Sequence, residues 1–210
     1  MPGPDDLMTD EIRWVPPAEP IAPPTLLIQK TSGVPDFEVH QLMTMKWGMI
    51  PKRVMIEWTL REYGVSLDDA ERIHQQVAGL LEDESSRFEN LKQVVGVAKN
   101  DSTSLIFSSV LWPGFEFTAR RGTDGTLESA RYRRAGGHVR PADSPGEQPP
   151  WSMDTSEFVE HFGPATLTQS YSCTDDVLPA HEVYDFEWNG RRYGAGFSWG
   201  LFLLAGQYWE

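Results

Sequence analysis

The side chains able to do chemistry are few and scattered. Five histidines, His40, His74, His138, His161 and His181, are the natural acid–base or metal-binding candidates. No pair has the HExxH or other helix-face spacing that builds a metal site. The densest cluster is Cys173, Asp175, Asp176, His181 and Glu182. It mixes soft and hard donors at irregular spacing and favours no particular metal. Cys173 beside His161 or His181 would be a nucleophile and a base. A reactive thiolate needs positive surroundings, however, and Asp175 and Asp176 oppose its ionisation. A small, partly buried cysteine is the better reading. Carboxylate pairs such as Glu57/Glu62 and Glu157/Glu160 are the ordinary yield of an acidic chain, and without a pocket they imply no acid–base catalysis. There is no P-loop, no GxGxxG following a strand and no GxSxG. No catalytic residue, metal or cofactor is expected.

Two stretches have a pattern of their own. Arg120, Arg121, Arg131, Arg133, Arg134 and Arg140 form the one basic stretch. On a hairpin Arg131 and Arg133 share a face, available to an anion or to the protein's own acidic surface. The C-terminal stretch is aromatic and acidic together. Tyr184, Phe186 and Trp188 alternate with Asp185 and Glu187, followed by Tyr193, Phe197, Trp199, Phe202, Tyr208 and Trp209. Tyr and Trp anchor interfaces as well as cores. Asp185, Glu187, Trp188, Trp199, Tyr208 and Trp209 are therefore the expected partner-binding residues.

The elements that would carry these residues follow from periodicity and punctuation. Seven prolines within residues 1–24 predict an extended arm, because proline fixes φ and lacks the amide donor. The remainder, 25–210, reads as one domain. Thr25–Lys30 reads as a strand, and the alternation in Phe37–Trp47 also leans towards a strand. Residues 51–82 predict an αα-hairpin. Pro51 fits a first helical turn, Gly64 stops the first helix, and Ser66 caps the second. Val54, Met55, Trp58 and Tyr63 are read as the apolar side of the first helix. Leu67, Ala70, Ile73, Val77 and Leu80 are read as that of the second. A short third helix is expected at Ser86–Val95.

Beyond residue 100 the period changes to two. Strands are expected at Ser104–Trp112, Phe115–Arg121 and Leu127–Arg134, the last two joined by an Asp-Gly turn. A loop spans 135–150 and a short helix Asp154–Phe162. Residues 168–182 read as irregular. Glu182–Trp188 and Arg191–Trp199 flank Asn189-Gly190, the strongest short hairpin signal. Leu201–Trp209 would be a final strand, and Gly194-Ala-Gly196 a bulge or close-packing site. The αα-hairpin resembles a helix-turn-helix, but Asp68, Asp69 and Glu71 stand where a DNA-reading helix needs basic and amide side chains.

Composition narrows the class. The chain has 210 residues, 31 acidic and 18 basic, and a formal net charge of −13. That charge makes nucleic acid a poor partner and favours encounter with basic ones. It is uneven: net −6 over residues 1–100, +2 over 101–140 and −9 over 141–210. The single cysteine precludes an intramolecular disulfide framework and points to a reducing compartment. The N-terminus carries no signal-peptide pattern, and the longest apolar runs are too short to cross a bilayer. A cytoplasmic protein is expected.

The expected fold is α+β. A curved or two-layer antiparallel sheet carries the αα-hairpin of residues 51–82 on one side. The expected function is non-enzymatic binding of a basic protein partner. In size, acidity and lack of catalytic residues the chain resembles immunity proteins of bacterial toxin systems, which would imply occlusion of a basic cleft. The alternative is a small-molecule binder or enzyme with a site between sheet and helices, built on His161, His138 and Arg131. A concave apolar pocket with convergent polar groups favours the alternative; an acidic surface with an exposed Trp favours partner binding.

Overall fold

Two antiparallel sheets and five α-helices make up the described part of the chain, an α+β fold. The computed structural model describes residues 34–45, 53–96, 103–137, 140–173, 175 and 178–208. The expected arm at 1–24 and the strand at 25–30 lie outside these residues.

The helices come first: α1 (Val34–Thr44), α2 (Arg53–Glu62), α3 (Leu67–Leu81) and α4 (Arg87–Val94). Gly64 takes φ 69° between α2 and α3, where Val65 N–H returns to Leu60 O at 2.9 Å. A left-handed residue closing such a bond is a common helix stop. Ser66 caps α3 by accepting the N–H of Asp69 at 3.1 Å.

The strand expected at Phe37–Trp47 is instead the helix α1 over its described part. Its apolar residues Phe37, Val39, Leu42 and Met43 are buried, and so are Glu38, His40 and Gln41. A helix enclosed on nearly all sides shows no amphipathic stripe, so its period is hidden in the sequence. α1 packs along α3. It also presses Phe37 edge-on against Phe117, with ring centroids 5.3 Å apart.

The first sheet is a meander, β1 (Ser104–Ser108), β2 (Phe115–Arg121) and β3 (Leu127–Arg134). β1 stops four residues short of the expected Trp112. Residues Ser109–Leu111 turn away to meet the buried carboxylate of Glu38. Phe115, Phe117, Ala119, Ala130 and Tyr132 face inward by the period of two.

The helix α5 (Thr155–Phe162) follows a loop that contains one 3₁₀ turn, Pro145–Glu147. Asp154 and Glu157 form a reciprocal capping box at its start. The second sheet runs β4 (Ala165–Ser170), β5 (His181–Trp188), β6 (Arg191–Ser198) and β7 (Leu201–Gln207), in that spatial order. β4 occupies residues partly expected to be irregular. It is an edge strand, exposed at five of its six positions, and so lacks the alternation that burial imposes. The register between β6 and β7 shifts at Gly196/Phe197, next to the bulge or close-packing site expected at Gly194–Gly196.

Strand β7 serves two cores. Leu201 and Leu203 join the first, with the helices α1–α4 and the first sheet. Phe202 joins the second, beneath α5, with Phe158, Phe186 and Phe197. Alternation along one strand therefore divides its side chains between two layers. The turn feeding β7 is Trp199-Gly200, with φ 53° and 81°. Tyr132 N–H donates to Trp199 O at 2.7 Å, tying β3 to this turn. A Cβ on Gly200 would lie 2.8 Å from Tyr132 O, so only glycine fits there.

Candidate functional site

The expected partner-binding residues separate. On the surface of β5 and beyond β7, Asp185 accepts the Tyr208 hydroxyl at 2.7 Å and pairs with Arg192 at 3.4 Å. The Arg192 guanidinium also lies 5.8 Å from the centre of the Tyr208 ring. The bond to Asp185 holds the Tyr208 phenol above its ordinary pKa. Glu187 is exposed and stands opposite Arg192 in register. Trp188 is half-buried, edge-on to Tyr193. Asp185, Glu187 and Tyr208 therefore share a surface on which Asp185 is already engaged by the chain's own Arg192.

Trp199 is not part of that surface. It is 4% exposed, meets Phe37 edge-on and donates its indole N–H to Thr44 Oγ1 at 3.1 Å. Its turn is drawn inward by the β3 contact, which makes it a core residue rather than an exposed anchor. Trp209 lies outside the described residues.

The exposed tryptophan is Trp58 on α2, 56% exposed, and Val54 one turn before it is 78% exposed. Of Val54, Met55, Trp58 and Tyr63, expected to form one apolar side, Met55 and Tyr63 pack against the core, whereas Val54 and Trp58 face outward. Ile56, Thr59 and Leu60 are buried, and Tyr63 donates its hydroxyl to Val110 O at 2.8 Å. That fixes the rotation of α2 and turns Val54, Trp58 and Arg61 outward at spacings of four and three. Glu57 and Glu62 are exposed beside them. Partial desolvation raises the Glu62 pKa. A groove of about 530 Å³ adjoins this stripe, floored by Leu60, Val65 and Leu67. The start of α3 adds the exposed carboxylates of Asp68, Asp69 and Glu71.

A buried polar centre positions α1 against the sheets. Glu38 is fully buried. Its carboxylate accepts Val110 N–H at 3.0 Å and Leu111 N–H at 2.9 Å, and the Tyr132 hydroxyl lies 3.4 Å away. Burial raises the Glu38 pKa against these bonds and lifts the Tyr132 pKa well above its ordinary value. The carboxylate is saturated by its own fold and braces the Ser109–Leu111 turn, which is a structural role.

Beside α1 opens a cleft of about 330 Å³ between α3, α4 and the segment near Cys173. His40 and His74 stack within it at 4.7 Å, and His40 Nδ1 lies 3.3 Å from His74 O. Burial, reinforced by the neighbouring His74, lowers the His40 pKa to about 4. Burial also raises the Cys173 thiol, whose Sγ lies 3.7 Å from Leu127 O. That burial opposes ionisation of the thiol. Among the described residues no group of three His, Cys, Asp or Glu side chains could hold a metal ion. His161 is exposed on α5, and Arg131 pairs with Glu182 at 3.5 Å. No hydrogen bond or ion pair joins His161 to Arg131, and His138 lies outside the described residues.

No protein-family model, no curated protein and no solved structure matches this chain. Among the described residues no helix is long and apolar enough to cross a membrane.

Proposed function

We propose that the protein is a non-enzymatic binding domain that docks a basic protein partner against α2. The observation that carries this reading is the exposed Val54–Trp58 stripe flanked by Glu57 and Glu62. Exposed single hydrophobics are ordinary, but a tryptophan and a valine one turn apart, beside a groove of mixed lining, make an anchor. The charge of the chain, −13, and the carboxylates on α2 and α3 select a basic complement. The aromatic C-terminal hairpin supports this reading less well, because Trp199 is buried and Asp185 is engaged by Arg192 and Tyr208.

The mode of action that fits is occlusion: α2 covers a basic cleft on its partner, in the manner of an immunity protein. Trp58 supplies contact area, and Glu57 and Glu62 supply steering and register. The test is capture from the native host with three baits, the wild-type chain, Trp58→Ala and Tyr208→Ala. Expected is one basic protein, released by moderate salt, captured by wild type and Tyr208→Ala and lost with Trp58→Ala. Loss with Tyr208→Ala and retention with Trp58→Ala would move the interface to the hairpin. No salt-sensitive capture by any bait removes the reading.

A further inference from the structure

We infer that the outward face of the first sheet docks an acidic polypeptide segment held in extended form. The inward face, with Phe115, Phe117 and Tyr132, belongs to the core. The period of two turns Ile106, Glu116, Thr118, Arg120, Arg131 and Arg133 the other way. Ile106, Thr118 and Arg131 form one cross-strand row. Arg120 stands between Ser104 and Ser129 in the row on one side, and Glu116 lies between Ser108 and Arg133 in the row on the other. Ile106 is exposed, so the face is not covered. Arg120 and Arg133 are also exposed, and neither side chain makes a hydrogen bond or ion pair among the described residues. Arg131 pairs with Glu182 at 3.5 Å and stays 42% exposed.

Arg131 and Arg133 are two residues apart on β3, so their Cα atoms are about 7 Å apart. Arg120 is diagonal to Arg131 across the β2–β3 pair, at about 7–8 Å. Like charges so close repel, and Glu116 and Glu182 offset only part of that charge. A guanidinium fork takes a carboxylate through two parallel hydrogen bonds. An extended chain spaces its alternate side chains about 7 Å apart, the same spacing as these arginines. An acidic segment laid along the face therefore sets alternate carboxylates over Arg133, Arg131 and Arg120. Ile106 and Thr118 meet the methylene stems of its side chains. The acidic remainder of the chain is screened beyond about 8 Å at physiological salt, so a short segment senses the local arginines. A nucleic acid also offers regularly spaced anions. This face, however, holds no aromatic side chain for a base to stack on, and the net charge of −13 opposes a polyanion.

This face is separate from the α2 stripe, and an acidic probe tests it alone. The test is fluorescence anisotropy of a labelled peptide, Glu-Ser-Glu-Ser-Glu-Ser, titrated with the full chain at low and at moderate salt. Expected is binding that salt weakens. The double variant Arg120→Ser/Arg133→Ser should lower the affinity at least about tenfold while keeping the native circular dichroism. Arg191→Ser, which removes an exposed arginine on β6, should leave it unchanged. A peptide of the same composition with its glutamates contiguous should bind more weakly than the alternating one, and a short oligothymidylate should not bind. If the double variant does not fold, Arg133→Gln alone decides, with a weaker affinity expected. The inference is overturned by absence of binding of the alternating peptide, by an affinity that the arginine variants leave unchanged, by equal loss with Arg191→Ser, by no preference for the alternating peptide, or by binding of the oligothymidylate.

Discussion

Acidification should destabilise the fold through His40, and the size of the effect follows from its surroundings. His40 is buried on α1, stacked on His74 at 4.7 Å, and its pKa is lowered to about 4 from an ordinary value of 6.5. The folded chain therefore keeps the ring neutral while the unfolded chain protonates it. The stabilisation is complete above about pH 6.5 and is lost as pH falls from there towards 4. For that pair of values the loss is about 2 kcal/mol at pH 5 and about 3 kcal/mol at pH 4. Other ionisable groups share α1 or the cleft with His40. Glu38 acts in the opposite sense, since burial raises its pKa and acid relieves that penalty. His74, Arg87, Glu82 and Asp175 share the cleft with His40. The measurement is therefore a difference. Urea unfolding followed by tryptophan fluorescence is run at pH 7.5, 6 and 5 on wild type and His40→Asn. The asparagine keeps a polar atom towards His74 O and has nothing to protonate. Expected is a variant less stable at pH 7.5 whose further loss on going to pH 5 is smaller than that of wild type by about 2 kcal/mol. Parallel pH dependences would refute the assignment of His40 as the buried neutral histidine.

Three further outcomes test other parts of the architecture. Gly200→Ala forces a Cβ to 2.8 Å from Tyr132 O at φ 81°. It should cost at least about 2 kcal/mol in urea unfolding, because strain and clash combine. Arg134 donates Nε to Glu157 at 2.6 Å and lies 4.1 Å from the Phe115 ring centre, joining β3 to α5. Arg134→Gln should lower stability by about 2–3 kcal/mol, measured by the same unfolding assay. Cys173, with its thiol pKa raised by burial, should react with iodoacetamide at pH 7.5 more slowly in the folded chain than in urea. Equal rates would show that the thiol is not shielded.

The fold was most legible where local chemistry and packing agree. Ser66, with Asp69 behind it, marked the start of α3, and Gly64 marked the stop before it. The turn residue Gly125 takes φ 92°, and Asn189-Gly190 takes φ 51° and 71°, as their hairpins require. Legibility failed where burial overrides pattern. α1 is enclosed by α3 and the first sheet, and its buried Glu38 and Gln41 interrupt any stripe, so its alternation resembled a strand. β4 failed for the opposite reason: an exposed edge strand of Thr, Leu and Gln has no inward face to impose a period.

The candidate site was less legible than the fold. Side-chain type alone cannot separate Trp58 from Trp199. Trp58 faces out because Ile56, Leu60 and Tyr63 set the rotation of α2. Trp199 sits in a turn, ordinarily a surface position, yet is buried because Tyr132 pulls that turn against β3. The cleft was hidden for a further reason. It is assembled from α1, α3, α4, β3 and the segment around Cys173, which are distant in the chain, and no short motif spans them.

The central claim concerns which surface meets the partner. Hydrogen exchange on the purified complex, compared with the free chain, tests it directly. Slower exchange should appear across α2 and the turn into α3, residues 53–68, with β5, β6 and β7 unchanged. Protection confined to residues 181–208, with α2 exchanging as in the free chain, would contradict it.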